Sequence, residues 1–112
     1  MREFYSPTPT IDGMDHELLQ QQAARIATVL TQRGLTIAVA ESITGGAFCA
    51  LLTRIPGVST AFIGGAVVYS AQAKQVLADV DPGVIAQYST VAPETSQALA
   101  HGIRHRLHTD IG

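Results

Sequence analysis

The segment from Leu35 to Ala40 constrains the fold most, because it is short, almost wholly apolar and contains the β-branched residues Ile37 and Val39. A run of this kind is typical of a strand that is covered on both faces. Such strands occur mainly in sheets that have helices packed on either side. If helices flank it, this segment predicts an α/β layer fold.

A helix is predicted immediately before this strand, with Asp15 as its N-terminal cap and Gly34 at its end. Spacings of four, three and four residues place an apolar stripe on one helical face, formed by Leu19, Ala23, Ile26 and Leu30. Residues 1–13 show no such periodicity and are predicted to be a flexible leader. The domain itself is therefore assigned to residues 14–112.

The strand is followed by a glycine turn and a second strand–helix pair. Gly45-Gly46 leads into a predicted helix over residues 47–54, which Pro56-Gly57 ends. Residues 60–69 predict a second strand, in which Gly64-Gly65 indicates a weak point, a bulge or a close approach of another segment. Two strands separated by a helix are consistent with the α/β prediction.

Three further helices are predicted after the second strand. Ser70 is a suitable cap for residues 71–78, and Asp81-Pro82 is a suitable start for a short helix. Pro93 begins the last helix, which carries an apolar face formed by Leu99, Ile103 and Leu107. Residues 109–112 then stand where another buried strand is expected, so the domain is predicted to be incomplete at its C-terminus.

Composition excludes several classes of partner. The chain has 112 residues, of which 46% are hydrophobic and 14% charged, as expected for one compact soluble domain. A formal net charge of −2 argues against nucleic acid as a partner. No apolar run approaches the roughly 18–20 residues that span a bilayer, and no signal peptide is recognisable. We therefore expect a cytoplasmic protein with no membrane partner and, because Cys49 is its only cysteine, no internal disulfide.

Ser42 follows the first strand directly, at the edge of an α/β sheet where ligands usually bind. The hydroxyl of Thr44 and the N–H groups of Gly45 and Gly46 precede a helix, a position that suits an anion or a developing oxyanion. The simpler alternative is that the glycines form a tight turn and that Ser42 caps the helix. Neither glycine fingerprint for nucleotide phosphates is present.

Lys74 lies in the first turns of the helix that follows the second strand, and Tyr69 lies at the end of that strand. The positive end of a helix dipole disfavours a charged amine, which suits a lysine that acts as a base. A serine hydroxyl needs such a base to become a nucleophile. Ser42 and Lys74 could therefore form a catalytic dyad. The alternative is that Lys74 extends over the surface and Tyr69 packs in the core.

Two other groups of residues are given structural rather than chemical roles. His101, His105 and His108 could share a helical face as metal ligands, but the same spacing arises on any solvated helix and no carboxylate pattern supports a metal site. Cys49 is predicted to be a small core residue, because no basic residue flanks it closely. Neither group is assigned to the site, and no metal is expected.

The order of these motifs resembles that of the CinA C-terminal domain family, also called the nicotinamide-nucleotide amidase family. The first block is Ala40-Glu41-Ser42-Ile43-Thr44-Gly45-Gly46, in which Ile43 stands where the family often has cysteine. Further matches are Pro56-Gly57-Val58-Ser59, Tyr69-Ser70 with Ala73 and Lys74, and, more weakly, Val91-Ala92-Pro93-Glu94. Departures are Val68, Ala71 and Gln72, and the lack of a later strand with a G-I-A-G-P loop and of a basic residue that would hold a phosphate.

The resemblance implies a three-layer α/β/α sandwich around a mixed sheet, truncated at its C-terminus. It also implies an amidohydrolase that converts nicotinamide mononucleotide to nicotinic acid mononucleotide and ammonia. The resemblance implies no cofactor, and it implies a homodimer. Ser42 would be the nucleophile, Lys74 the base and Tyr69 a hydrogen-bonding or proton-relay partner. The implied substrate-binding residues are Glu41, Thr44, Gly45 and Gly46. The alternative is an inactive module that binds a nucleotide or associates with itself.

Overall fold

A computed structural model describes residues 16–112 as a sequence of helices and strands that follows the predicted order. The elements are α1 (His16–Arg33), β1 (Ile37–Glu41), α2 (Ala47–Thr53), β2 (Phe62–Val67), α3 (Ala71–Ala78), α4 (Pro82–Tyr88) and α5 (Pro93–Leu107), with a 3-10 turn at Val58–Thr60. The predicted leader, residues 1–13, and the predicted cap Asp15 lie outside the described residues.

The sheet is built from parallel pairings. β1 and β2 are parallel neighbours, joined through α2 as a crossover. On the other edge of β1, Ile111 forms a parallel bridge with Ile37, in which Ala38 N–H donates to the Ile111 carbonyl at 3.0 Å. Asp110 fastens this segment, because its carboxylate accepts from the Thr36 N–H and hydroxyl at 2.8 and 3.0 Å. Within residues 16–112 the pairings are therefore all parallel, not mixed.

Helices cover both faces of the sheet, as the two adjacent glycines of β2 demonstrate. A side chain at Gly64 would point to Leu107 of α5, whereas one at Gly65 would point to Cys49 of α2. Successive strand residues face opposite sides, so α5 and α2 form the two outer layers. The predicted α/β fold with three layers is confirmed.

Gly64-Gly65 also confirms the sequence prediction of an irregularity and a close approach. The pairing register shifts between Ile37 and Ala38, opposite this part of β2. A Cβ atom at Gly65 would lie 2.6 Å from Cys49 Sγ and 2.8 Å from the Val39 carbonyl oxygen. Only glycine lets α2 and β1 approach β2 so closely at this point.

The core on the α5 side holds α3 in place. Its fully or nearly buried members are Val68, Ala78, Val80 and Leu99. Gly102 of α5 packs against the Ala78 carbonyl so closely that no Cβ atom would fit between them. The caps that start α3 and α4 are as predicted, since Ser70 accepts from Ala73 N–H and Asp81 accepts from Gly83 N–H.

One prediction for α1 is wrong in detail. Ile26 belongs to the predicted apolar stripe, but it is 40% exposed, whereas Ala27 is buried together with Ala23 and Leu30. The buried face is therefore rotated toward the small residues, because alanines allow α1 to lie closer to its neighbours. Among the described residues no helix is long and apolar enough to span a bilayer.

Candidate active site

Ser42 and Lys74 are in contact. Lys74 Nζ lies 3.1 Å from Ser42 Oγ, although 32 residues separate them in the chain. Lys74 is only 2% exposed, and its Nζ also donates to the backbone carbonyls of Val68 at 2.7 Å and Tyr69 at 3.5 Å. The predicted proximity of the two side chains is therefore present. The alternative with a surface Lys74 and a core Tyr69 is wrong, because Tyr69 is the exposed residue, at 76%.

The contact follows from the parallel pairing of β1 and β2. The Glu41 carbonyl accepts from Val68 N–H at 2.7 Å, which places the carboxyl ends of the two strands side by side. Helical side chains lean toward the N-terminus of their helix, so Lys74 in the first turns of α3 reaches back to the end of β2. The Val68 carbonyl then fixes Nζ beside the residue that follows Glu41, which is Ser42.

The carboxylate of Glu41 is bound to α2, whereas the resemblance implies that Glu41 contacts the substrate. It is 4% exposed, and its two carboxylate oxygens accept from the N–H groups of Phe48 at 3.0 Å and Cys49 at 2.9 Å. Burial alone would raise the pKa of Glu41, but hydrogen bonds from Cys49, Thr44 and Phe48 outweigh it and lower the pKa to about 2. Glu41 is therefore an ionised cap at the start of α2.

The same contacts change the assignment of the oxyanion-binding groups. The first-turn N–H groups of α2 are used by Glu41, and Gly45 N–H donates to the Ser42 carbonyl at 3.1 Å. Gly45 thus cannot donate to a substrate without breaking this turn. Between residues 16 and 112, no hydrogen bond partner is present for the N–H groups of Thr44 and Gly46. These two groups, with Gly46 at a φ of 105° that favours glycine, remain suitable donors.

Cys49 is an inert part of this arrangement, as predicted. Burial, followed by the hydrogen bond and negative charge of Glu41, raises the pKa of the Cys49 thiol to about 12. A thiol with this pKa is almost entirely protonated near neutral pH and is a poor nucleophile. Cys49 is therefore not a competing nucleophile near neutral pH.

A groove of about 420 Å³ runs along β1 to Ser42 and provides space for a ligand. Phe48, Leu99 and Ala100 contribute apolar walls, and Ile43, which is 95% exposed, lies at the same groove. A cavity of similar size, about 450 Å³, lies on α1 beside Arg25 and Val29, but it is lined by no nucleophile. The groove at Ser42 is therefore the better candidate for the site.

The histidines of α5 do not form a metal site with the described residues. His101 and His105 are exposed, and His108 lies one residue beyond α5 in a left-handed conformation. No group of three or more His, Cys, Asp or Glu side chains suited to a metal ion occurs in residues 16–112.

Sequence reasoning missed two contributions to the site. The Val68 carbonyl is a backbone group, so no residue type reveals its contact with Lys74. The capping role of Glu41 has a weak signal, namely an acidic residue before a glycine turn that leads into a helix. Its contacts with residues seven and eight positions later depend on how the turn folds, which local capping patterns do not describe.

Comparison with known proteins gives a consistent set of relatives. Residues 19–112 match the family model for the CinA C-terminal domain. A "CinA-like protein" of Acidobacterium capsulatum is 51% identical over 83 residues, which cover 74% of this chain and 20% of that protein. A "putative competence-damage inducible protein" of Moorella thermoacetica is 44% identical over 102 residues, which cover 91% of this chain and 24% of that protein.

A solved structure supports the same likeness. The competence damage-inducible protein A (ComA) of Klebsiella pneumoniae superposes with a TM-score of 0.79 at 28% sequence identity, over 82% of this chain and 57% of that one. The chain thus spans about a fifth to a quarter of the curated relatives, at 20% and 24%, and little more than half of the solved one, at 57%.

Proposed function

The chain belongs to the CinA C-terminal domain family, and on that premise we propose that it hydrolyses the amide of nicotinamide mononucleotide to nicotinic acid mononucleotide and ammonia. The observation that carries the proposal is the 3.1 Å contact between the buried Lys74 Nζ and Ser42 Oγ. A serine hydroxyl beside an amine that can take its proton is the arrangement needed for acyl transfer through a covalent intermediate.

The surroundings of Nζ suit a base. A neutral amine has two N–H bonds and one lone pair, and here two carbonyls, of Val68 and Tyr69, stand ready to accept the two N–H bonds. In the structure Nζ donates to Ser42 Oγ at 3.1 Å; in the proposed reacting form the neutral amine would instead accept the proton of Ser42 with its lone pair. In the proposed first step, Ser42 Oγ attacks the carboxamide carbon while Nζ takes the hydroxyl proton.

The remaining steps use the same residues. The N–H groups of Thr44 and Gly46 would stabilise the oxyanion of the tetrahedral intermediate. When the C–N bond breaks, the proton held on Nζ passes to the leaving nitrogen, which gives ammonia and an ester on Ser42. Water, deprotonated by Lys74, then attacks the ester, and the proton on Nζ returns to Ser42 Oγ as the acid is released. Tyr69 is proposed as a hydrogen-bonding partner of the substrate, because it is exposed and its backbone carbonyl lies 3.5 Å from Nζ.

The experiment is an assay of ammonia release from nicotinamide mononucleotide by the wild type, Ser42→Ala and Lys74→Ala. Ser59→Ala is a matched control, because Ser59 is an exposed serine in the 3-10 turn. We expect the first two variants to lose at least a hundredfold in rate, consistent with loss of a general base or nucleophile, and the control to keep the wild-type rate. Equal rates for all four proteins would contradict the dyad.

The competing function is a module that binds the nucleotide without hydrolysing it. Calorimetry distinguishes the two, because binding of nicotinamide mononucleotide without ammonia release supports the module and excludes the enzyme. A homodimer and a cytoplasmic location are proposed with the enzyme. Light scattering of the purified protein tests the dimer, and fractionation of cells that produce it tests the location.

A further inference from the structure

Glu41 precedes the proposed nucleophile directly and is held at two points. Its carbonyl accepts from Val68 N–H at 2.7 Å, and its carboxylate accepts from the N–H groups of Phe48 and Cys49. The first contact joins β1 to the end of β2, and the second joins β1 to the start of α2. Both contacts lie within one residue of Ser42, so together they restrict where its backbone can lie.

The carboxylate also caps α2, whose N-cap position is a glycine without a side-chain acceptor. A serine before a helix commonly accepts from the first-turn N–H groups with its hydroxyl. Here the N-cap residue of α2, Gly46, has no side chain to accept, and Glu41 accepts from the N–H groups of Phe48 and Cys49 instead. The hydroxyl of Ser42 is therefore not engaged as a cap and is in contact with Lys74 Nζ.

A closed series of contacts connects this cap to the base. Val68 donates to the Glu41 carbonyl, the Val68 carbonyl accepts from Lys74 Nζ, and Nζ contacts Ser42, which is bonded to Glu41. A shift of Glu41 would thus alter the distance between Oγ and Nζ directly. Misplacement of a catalytic group by about 1 Å can cost about a hundredfold in rate.

We infer that Glu41 is a positioning residue, which holds Ser42 Oγ against Lys74 Nζ by anchoring the end of β1 to the first turn of α2. This inference rests on the proposed function only in that Ser42 is the nucleophile. It replaces the substrate contact that the family resemblance implied for Glu41, since both carboxylate oxygens are turned to the helix.

The test compares Glu41→Gln with Asp81→Asn. Glutamine keeps the size of the side chain, but its NH2 group cannot accept from an N–H, so one of the two contacts is lost. Asp81→Asn makes the same chemical change at the cap of α4, where the carboxylate accepts from Gly83 N–H at 2.7 Å. Because asparagine keeps a carbonyl oxygen that can accept this N–H, Asp81→Asn controls for the loss of negative charge at a helix cap, whereas Glu41→Gln also loses a hydrogen bond.

Two readouts report on the contact itself and do not require amide hydrolysis. Lys74 is the only lysine of the chain, so a 15N-lysine label gives a single side-chain resonance for Nζ. Ser42→Ala provides the reference for an Nζ without the hydroxyl. The second readout is the rate at which a small fluorophosphonate probe labels Ser42, measured on folded protein.

We expect Glu41→Gln to move the Nζ resonance toward that of Ser42→Ala and to slow labelling at least tenfold. Asp81→Asn should leave the resonance unchanged and the rate within twofold. If Glu41→Gln does not fold, Glu41→Asp replaces it, since its shorter side chain keeps the charge but does not reach both N–H groups, and the same changes are expected in smaller degree. A Glu41 variant that behaves like Asp81→Asn in both readouts would overturn the inference.

The outcome separates this inference from the proposed function. If the wild type releases no ammonia but the resonance and the labelling respond as expected, the positioning role holds and the amidase proposal fails. If ammonia is released and Glu41→Gln leaves both readouts at wild-type values, the amidase proposal holds and the positioning role fails.

Discussion

Alanine at Gly65 and alanine at Gly64 should have opposite effects, although the two glycines are adjacent in β2. A Cβ atom at Gly65 would lie 2.6 Å from Cys49 Sγ and 2.8 Å from the Val39 carbonyl oxygen. A methyl group requires about 3.5 Å, so each neighbour must move by roughly 0.7–0.9 Å. At Gly64 the nearest atom, in the Leu107 side chain, is 3.5 Å away and needs no movement.

The energetic difference follows from these distances. Overpacking at Gly65 should cost about 1–3 kcal/mol. Neither neighbour can move easily, because the Val39 oxygen belongs to the backbone of β1 and the Cys49 N–H is bound to the Glu41 carboxylate. Gly64→Ala should gain up to about 1 kcal/mol, because alanine loses less conformational entropy than glycine on folding. The two variants should therefore differ by about 1–4 kcal/mol, or roughly 4–30 °C in Tm for a domain of this size.

Thermal unfolding followed by circular dichroism measures this difference, and urea unfolding gives it as a free energy. Because the displaced Cys49 is a partner of the Glu41 carboxylate, Gly65→Ala should also slow labelling of Ser42, whereas Gly64→Ala should not. Equal stability of the two variants would refute the close packing of α2 on β2, and with it the support that this packing gives to Glu41.

Three further predictions concern ionisable groups. The folded-state pKa of Glu41, about 2, lies below its ordinary value of 4.5, so this group contributes stability above pH 4.5 that is lost as the pH falls toward 2. The loss is on the order of 3 kcal/mol in the free energy of unfolding. Glu41→Gln should remove most of this dependence on pH between 4.5 and 2, and an unchanged dependence would contradict the buried cap. The pKa of the Cys49 thiol is about 12, so little of it is ionised at pH 8. It should react with a disulfide reagent on the order of a thousandfold more slowly in the folded than in the unfolded chain. Similar rates would contradict its burial beside Glu41. Asp110→Asn should speed hydrogen exchange of Ile111 N–H, because hydrogen bonds from Thr36 lower the pKa of Asp110 and hold this segment beside β1; unchanged exchange would show that the backbone pairing suffices.

Features set by near neighbours in sequence were accessible to prediction. The caps at Ser70 and Asp81 join groups only two or three residues apart, so residue type and position suffice to identify them. The strand β1 was predictable because a short apolar run between two helices is typical of a buried strand. Its end placed Ser42 at the edge of the sheet, where the site was expected.

Features that depend on packing between elements were not accessible. Residue type favours an exposed lysine and a buried tyrosine, whereas the structure buries Lys74 and exposes Tyr69. This reversal arises because the end of β2 supplies the Val68 carbonyl, which compensates a buried amine. The role of Glu41 was missed for a similar reason, since its partners belong to a helix whose placement follows from the glycine turn.

The central claim is that Ser42 forms a covalent intermediate with Lys74 as its base. Rapid mixing with nicotinamide mononucleotide, an acid quench and mass spectrometry of the peptides test it most directly. We predict an acyl adduct on the peptide that contains Ser42 in the wild type, and no adduct in Lys74→Met, which keeps an unbranched side chain but has no amine. An adduct confined to another peptide, or equal labelling of Ser42 in the wild type and in Lys74→Met, would contradict the account.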